Sequence, residues 1–412
     1  MRFLFRNDIY FLLIALQGIF FYCVGRDFFL QICFMNTSYW ERETFLENSD
    51  LIVVGAGIAG LSTALELKKN QPDFRISVLE RSWLSDGASS KNAGFACFGS
   101  ISEFLDDMKD MSFDEVVSLA IRRFRGIEKL VKEYSEKVLE LEWNGGYEIF
   151  FQEDETSFGE CCAFVERFND AFEKTLNIRP YTVLTVQEFQ GIKNLVGVIS
   201  NKYEGGLNTG AMLNSMRSRA LSLGVRIFNG VEVKSYSSSR NEMSVETSVG
   251  IWKAKRIAFC TSSFHSELFE DLEMSSKRNQ VVVTKPIANL QLNGTFHHHQ
   301  GFNYFRNIEG RILMGGMRHL FSNTESTSAQ GNTMEVVSAL TNFLQNKIHT
   351  TSMIEIDLFW SGILGVGKDE RSVIAQVEEN VFVGARLGGI GVAIGSLVGQ
   401  ELAELINSSF SK

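Results

Sequence analysis

Short apolar runs bounded by glycine or charge recur along this chain, at Leu51-Ile52-Val53-Val54, at Ile76-Ser77-Val78-Leu79, at Ile257-Ala258-Phe259 and at Val381-Phe382-Val383. Runs of this length and composition predict buried strands. Helix-forming segments follow the first and last of them, from about Ile58 and to about Ile406, and a third helix runs from Thr209, a candidate N-cap, to about Leu223. In the middle of the chain the spacing changes. Residues 102–134 and 161–176 have helical periodicity with charged faces, whereas 143–152 and 181–186 read as strands. Residues 280–284 predict a strand closed by Lys285-Pro286, and 302–306 with 311–316 a hairpin about Glu309-Gly310. The pattern is that of an α/β (α+β) protein.

At 412 residues the chain exceeds one ordinary domain, so two intertwined or consecutive domains are expected. The net charge of −9 is spread rather than gathered, which argues against a broad nucleic-acid surface. Cysteines 23, 33, 97, 161, 162 and 260 contain no CxxC and no regular spacing, so neither a zinc site nor a disulfide framework is indicated, and reduced thiols in a cytoplasmic setting fit best. Cys97, Cys161 and Cys162 are read as packing residues. Consecutive side chains of an extended segment alternate faces, so His297-His298-His299 cannot easily converge on one ion, and no metal site is expected. One of the three rings could face a substrate, and the sequence does not say which. Residues 1–34 carry an apolar run from Ile9 to Val24, about 16 residues against the roughly 20 that a membrane-spanning helix needs. We expect Met35 to be the working start; the alternative is a membrane anchor.

Candidate chemistry begins at Gly55, where the first strand runs into Gly55-Ala56-Gly57-Ile58-Ala59-Gly60. The first glycine permits the sharp turn, the second lets backbone approach a pyrophosphate, and the third lets helix pack on strand. The helix from Ile58 aims its free N–H groups and positive dipole end at the phosphates, and Glu80, 25 residues past Gly55, stands where an acid binds ribose hydroxyls. Arg81 follows it. A loop dense in small and hydroxylated residues comes next, Gly87-Ala88-Ser89-Ser90-Lys91-Asn92-Ala93-Gly94. Such residues build poor cores and suit a surface lying against a ligand. Far along the chain, Arg386-Leu387-Gly388-Gly389-Ile390-Gly391-Val392 forms a second strand, glycine turn and helix start. Two such ends fit the halves of one long dinucleotide.

The fingerprint at 55–60 together with the loop at 87–94 resembles the D-amino acid oxidase, glycine oxidase and sarcosine oxidase family of FAD-dependent oxidoreductases. The resemblance covers residues 49–406, and the middle matches mainly in the order of its elements. It implies a Rossmann-like FAD-binding domain of the glutathione-reductase type, discontinuous over 49–125, 201–277 and 355–412, with a second, mixed-sheet substrate domain over 126–200 and 278–354. It implies non-covalent FAD held by Gly55, Gly57, Ile58, Ala59, Gly60, Glu80 and Arg81, by Ala88, Ser89, Lys91, Asn92, Ala93 and Gly94, by the backbone of Val233 and by Thr261. Cys260 and Ser262 beside Thr261 depart from the family's commoner Ala and Gly. Gly388, Gly389, Ile390, Gly391 and Val392 would meet the flavin ring. On the hairpin, Arg306 is expected to hold a substrate carboxylate, with Tyr304 beside it and Arg318 as the alternative arginine.

The implied reaction oxidises the C–N bond of a small amine or amino acid, by hydride transfer from the carbon to flavin N5 and hydrolysis of the imine, with oxygen or another acceptor taking the electrons. Such chemistry needs a neutral amine, alignment and a dry pocket, consistent with a sequence that shows no nucleophile triad. Three other readings stand beside it. One is a flavin enzyme acting on a wobble-uridine amine of tRNA, which the net acidity opposes; another is a membrane-associated amine dehydrogenase, which needs residues 1–34. The last is a non-enzymatic flavin-binding module. A nicotinamide monooxygenase is disfavoured because no second GxGxxG follows in mid-chain. No stable protein partner is evident.

Overall fold

The computed structural model describes residues 37–239, 242–348 and 353–410. The expectations placed on residues 1–34 and on Met35 lie outside them. Within them no helix is long and apolar enough to cross a membrane.

After a short helix at Tyr39–Thr44 come β1 (Ser49–Val54), α1 (Ile58–Asn70) and β2 (Ile76–Glu80), then the short α2 (Ala88–Lys91), α3 (Ile101–Asp107) and α4 (Phe113–Tyr134). It continues through β3 (Gly146–Phe151), α5 (Glu155–Leu176), β4 (Tyr181–Leu184), β5 (Leu195–Asn201) and α6 (Thr209–Ser222). Next come β6 (Arg226–Asn229), β7 (Val233–Ser239), β8 (Glu242–Thr247), β9 (Gly250–Phe259), β10 (Ser275–Thr284), β11 (Thr295–His298), β12 (Asn303–Ile308) and β13 (Arg311–Gly316). Last are α7 (Met334–Lys347), β14 (Ile356–Val366), β15 (Val373–Glu378), β16 (Val381–Ala385) and α8 (Gly391–Ser408).

These strands form two large sheets. The first has the order β6-β2-β1-β9-β8-β7, with β16 also on β9 and β15 on β16. Its centre, β6, β2, β1, β9 and β16, is parallel, and β7, β8 and β15 join antiparallel. Every residue of β1 is buried: Leu51 and Val53 pack with α1, α4 and α8, while Ile52 and Val54 join a second cluster on the opposite face. Cover on both faces is why the apolar run is unbroken. The second sheet runs β14-β10-β13-β12-β11-β3-β5-β4, antiparallel except where β11 lies parallel to β3. Its core stacks Phe296 on Phe305, ring centroids 4.9 Å apart, against Val336, Leu340 and Leu344 of α7.

Four sequence expectations change. The stretch 102–134 is two helices, because Ser112 and Glu115 form a capping box that starts α4 afresh. Helix α4 then runs unbroken through 125–126, where a domain boundary was expected. Asn208, not Thr209, caps α6, its extended backbone letting its side chain accept from the Ala211 N–H. Residues 356–366, assigned to the nucleotide-binding part, are instead the edge strand β14 of the second sheet, paired with β10 from Ser275↔Val366 to Thr284↔Ile356. The hairpin stands as read: β12 and β13 pair from Asn303↔Gly316 to Ile308↔Arg311, with Glu309 and Gly310 at φ 51° and 74°.

Candidate functional site

Two helices meet point-first at one cavity. Gly57 and Ile390 precede α1 and α8, and neither gives its helix a side-chain cap, so first-turn N–H groups other than that of Ile58 are left for a ligand. The helices pack closely because they carry glycine where they touch: a Cβ on Gly399 would lie 2.3 Å from Ser62 Cβ, and one on Gly395 2.7 Å from Ile58 Cγ2. The cavity between their ends has a volume of about 450 Å³, within the range of cofactor pockets. Gly57 and Ile58 line it with Gly388, Gly389 and Gly391, so the two glycine turns face a single space.

The turn at 55–60 uses its glycines as expected. Gly55 adopts φ +100°, and a Cβ there would meet the Cys260 carbonyl oxygen at 2.7 Å; a Cβ on Gly60 would meet the Gly55 oxygen at 2.0 Å. Gly60 therefore serves packing and does not line the cavity. Glu80 is buried and holds the turn itself: one carboxylate oxygen accepts from the Ala56 N–H at 3.0 Å and the other from the Ser82 N–H at 3.1 Å. Ser89 Oγ accepts from the Ile58 N–H at 3.0 Å, tying the loop to the head of α1. At the far end Arg81 lies over Phe264, 4.0 Å from its ring centre.

A residue that the sequence reading passed over, His265, joins two that it named. Nδ1 lies 3.0 Å from Thr261 Oγ1 and Nε2 3.4 Å from the Val233 carbonyl oxygen, and burial pushes the imidazole below its usual range. A neutral ring can donate at one nitrogen and accept at the other. Ser85 also escaped notice: it lines the cavity and donates to the Ala56 carbonyl at 2.8 Å. Ser85 meets Ala56 only in space, and His265, four residues after Thr261, reaches Val233 only in space.

A second cavity of about 190 Å³ adjoins the first and shares Ala88, Asn92, Leu364, Gly389 and Val392 with it. Lys91, Ala93, Ile390 and Tyr304 line this space. Gly315, opposite Tyr304 in the hairpin register, leaves room for the phenol ring, since a Cβ there would be 2.4 Å from its oxygen. The Tyr304 hydroxyl accepts from Asn279 Nδ2 at 2.7 Å, and burial pushes its pKa up to about 12. It stays protonated and can donate to a ligand.

Arg306 does not line either cavity, contrary to the expectation. It lies on the same face of β12 as Tyr304 but about 7 Å further along, where backbone fills the space. Its Nη1 donates to the Gly94 carbonyl at 2.7 Å, and a Cβ on Gly206 would lie 2.2 Å from that atom. Burial holds its pKa down at about 10. Gly94, at φ +72°, belongs to this contact and not to the cavity wall. Arg318, the alternative, does line the second cavity: it sits over Phe302, 5.0 Å from the ring centre, and has no ion pair among the described residues. Burial lowers its pKa. Of the three histidines, His297 reaches this cavity, while His298 lies 3.1 Å from Asp154 and His299 packs on His319. Cys97 also lines it, and burial raises its pKa well above the ordinary thiol range.

The family model described as FAD dependent oxidoreductase, DAO, matches residues 50–405. A probable oxidoreductase of Haemophilus influenzae, OrdL, is 19% identical over 380 residues, 88% of this chain and 84% of its own. Glycine oxidase from Geobacillus kaustophilus has a structure similar to this one, with a TM-score of 0.71 at 18% identity over 88% of this chain and 95% of that one. L-proline dehydrogenase from P. horikoshii gives 0.68 at 19% identity over 88% and 94%. At such identities the structural likenesses speak for the fold, and the family match for membership. With both glycine turns facing one cavity and the family's sequence pattern running nearly end to end, this chain belongs to the DAO family of FAD-dependent oxidoreductases.

Proposed function

We propose that this FAD-dependent oxidoreductase oxidises a C–N bond of a small amine or amino acid to an imine that water then hydrolyses. The observation that carries the reading is the second cavity, which opens off the Gly389 end of the first and presents the unpaired guanidinium of Arg318. Gly55, Gly57, Glu80 and Ser89 would hold the nucleotide half of FAD, and Gly388 to Val392 the ring half. Bound FAD supplies a two-electron acceptor, which oxygen or another acceptor would reoxidise. Arg318 would receive a substrate carboxylate in its planar fork. Tyr304 and Asn279 would orient the polar end, while Phe95 and Phe302 wall off water.

The test is anaerobic mixing of the yellow protein with secondary amines, glycine and D-amino acids while the flavin absorbance is followed. Bleaching by at least one of them is expected. Arg318→Ala should then raise KM for a carboxylate-bearing substrate about tenfold to a hundredfold, the size of a lost charged hydrogen bond of about 1.5–3 kcal/mol. A protein whose flavin no amine reduces would overturn the proposal.

A further inference from the structure

His297 stands in the wall between the second cavity and a small space of about 10 Å³, lined also by Ser100, Glu148, Tyr181, Asn201 and Glu204. The ring is 7% exposed, and its Nε2 is enclosed without a hydrogen-bond partner, 3.9 Å from Glu204 Oε2. Nδ1 is not enclosed in this way and is the nitrogen left for the substrate side. Glu204 is 3% exposed: Oε1 accepts from the Phe98 N–H at 3.0 Å, and the Gly99 N–H also holds the carboxylate. Glycine at 146 makes room for that oxygen, since a Cβ there would lie 2.0 Å away. An enclosed ring nitrogen without a partner thus faces a buried carboxylate oxygen at 3.9 Å, just beyond hydrogen-bond range. Buried groups left unpaired are costly and call for an explanation.

We propose that His297 and Glu204 form the proton-accepting pair for the substrate amine, His297 Nδ1 taking the ammonium proton as Nε2 passes its own proton to Glu204 Oε2. The inference rests on the amine reading above. One substrate N–H bond and the imidazole Nε2–H bond break, while an Nδ1–H bond and a carboxyl O–H bond form. The imidazole is neutral before and after, and the positive ammonium and negative carboxylate become neutral amine and neutral acid. No oxidant takes part in this step. His297 is the catalytic residue and Glu204 acts through it.

The surroundings suit that direction of transfer. Burial pushes Glu204 up to about 8, with Glu103 and Glu148 adding to the rise and the Phe98 and Gly99 N–H groups opposing it. Glu148 is itself raised to about 7 by burial. Tyr181 and Cys97, both pushed up by burial, and the Arg123 guanidinium also surround the pair, and Lys91, Asp106, Asp107, Tyr304, Arg318 and Glu370 line the cavity that His297 faces. Burial lowers His297, so the ring is neutral in its resting state. A carboxylate that favours its neutral form is a good end point for a proton. It must be ionised to accept one, so the step engages as pH rises through about 8.

The experiment measures anaerobic flavin bleaching by a reactive amine from about pH 6 to pH 10, in the FAD-loaded wild type, Glu204→Gln and His297→Asn. Gln keeps an oxygen for the Phe98 N–H. The wild-type rate should rise through about pH 8, whereas both variants should be slowed at least about tenfold above it and should follow only the amine's own titration. Infrared difference spectra of the substrate-free holoenzyme on alkalinisation should lose a protonated-carboxyl band with the same midpoint, and Glu204→Gln should lack that component. Unchanged pH profiles in both variants, at wild-type flavin content, or an unchanged infrared titration in Glu204→Gln, would overturn the pairing. If no amine bleaches the wild type, the amine reading falls and takes this inference with it; if amines bleach all three alike, only the inference falls.

Discussion

Arg306 on the hairpin and Arg318 in the turn after it have different tasks, and burial weakens the proton affinity of both. Arg306 braces Gly94 from behind the cavity wall. Arg306→Met leaves the Gly94 carbonyl its bond from the Leu207 N–H at 2.8 Å and should cost about 1–3 kcal/mol for the lost charged hydrogen bond, readable as a lower midpoint of thermal unfolding. KM for the substrate should stay within about twofold of wild type; a large rise in KM with stability intact would return Arg306 to the carboxylate-binding role. Glu148 shows the same logic for an acid. It holds the start of α3 by accepting from the Ile101 N–H at 3.1 Å and from Ser102, yet burial raises its pKa to about 7. The folded protein then keeps a proton that the unfolded chain releases near its ordinary value of about 4.3. The sign follows: this contribution is complete below that value and is lost as pH rises through about 7. Glu148→Gln should flatten the fall of stability between about pH 5 and pH 8, by a slope on the order of 1 kcal/mol per pH unit. Chemical denaturation at a series of pH values measures it, and parallel curves for the two proteins would refute it.

At the scale of elements, what could be read in advance was what is local. Strand, glycine turn and helix follow one another directly at 51–70 and at 381–408, so the sequence order alone places the helix ends. The pairing of β14 was not readable in this way, because its partner β10 lies some 80 positions earlier and nothing local in Ile356–Val366 says which sheet it joins. The break before α4 was written in Ser112 and Glu115, but apolar periodicity runs across it and hid it. Arg318 lies in a short turn after the hairpin, where no period announces which way a side chain points. The approach of α1 to α8 had a visible basis in Gly395 and Gly399, although their partners Ile58 and Ser62 could only be found in space. Gly399→Val should force the two helices apart. A loss of about 1–3 kcal/mol is expected from overpacking, with FAD binding weakened more than tenfold as the two free helix ends separate. Titration of apoprotein by flavin fluorescence quenching reads this, and an unchanged affinity would show that the helix ends are set independently.

The whole molecule is held by a chain that passes repeatedly between its two sheets, with the cofactor cavity lined from β1, β2, β9, β14 and β16 or the turns after them. FAD should therefore act as a cross-link by mass action. At a free concentration about a hundred times Kd it should add about 2.7 kcal/mol, seen as an upward shift of the unfolding midpoint on reloading apoprotein. Cys260 and Cys97 are both held as neutral thiols by burial, so neither offers a thiolate to bond the flavin. Acid or heat should release all of it, and flavin retained on a peptide would contradict that.

The position of β16 bears on how the protein is made. Its seat is on β9, in the same sheet as β1, yet the two strands stand at positions 381 and 49 of the chain. A polypeptide emerging from the ribosome presents its first nucleotide-binding turn about 330 residues before the half that completes it. During that interval the exposed edge of β9 is a site for mispairing or for a chaperone. Premature stop codons anywhere before that strand should yield colourless, aggregation-prone fragments.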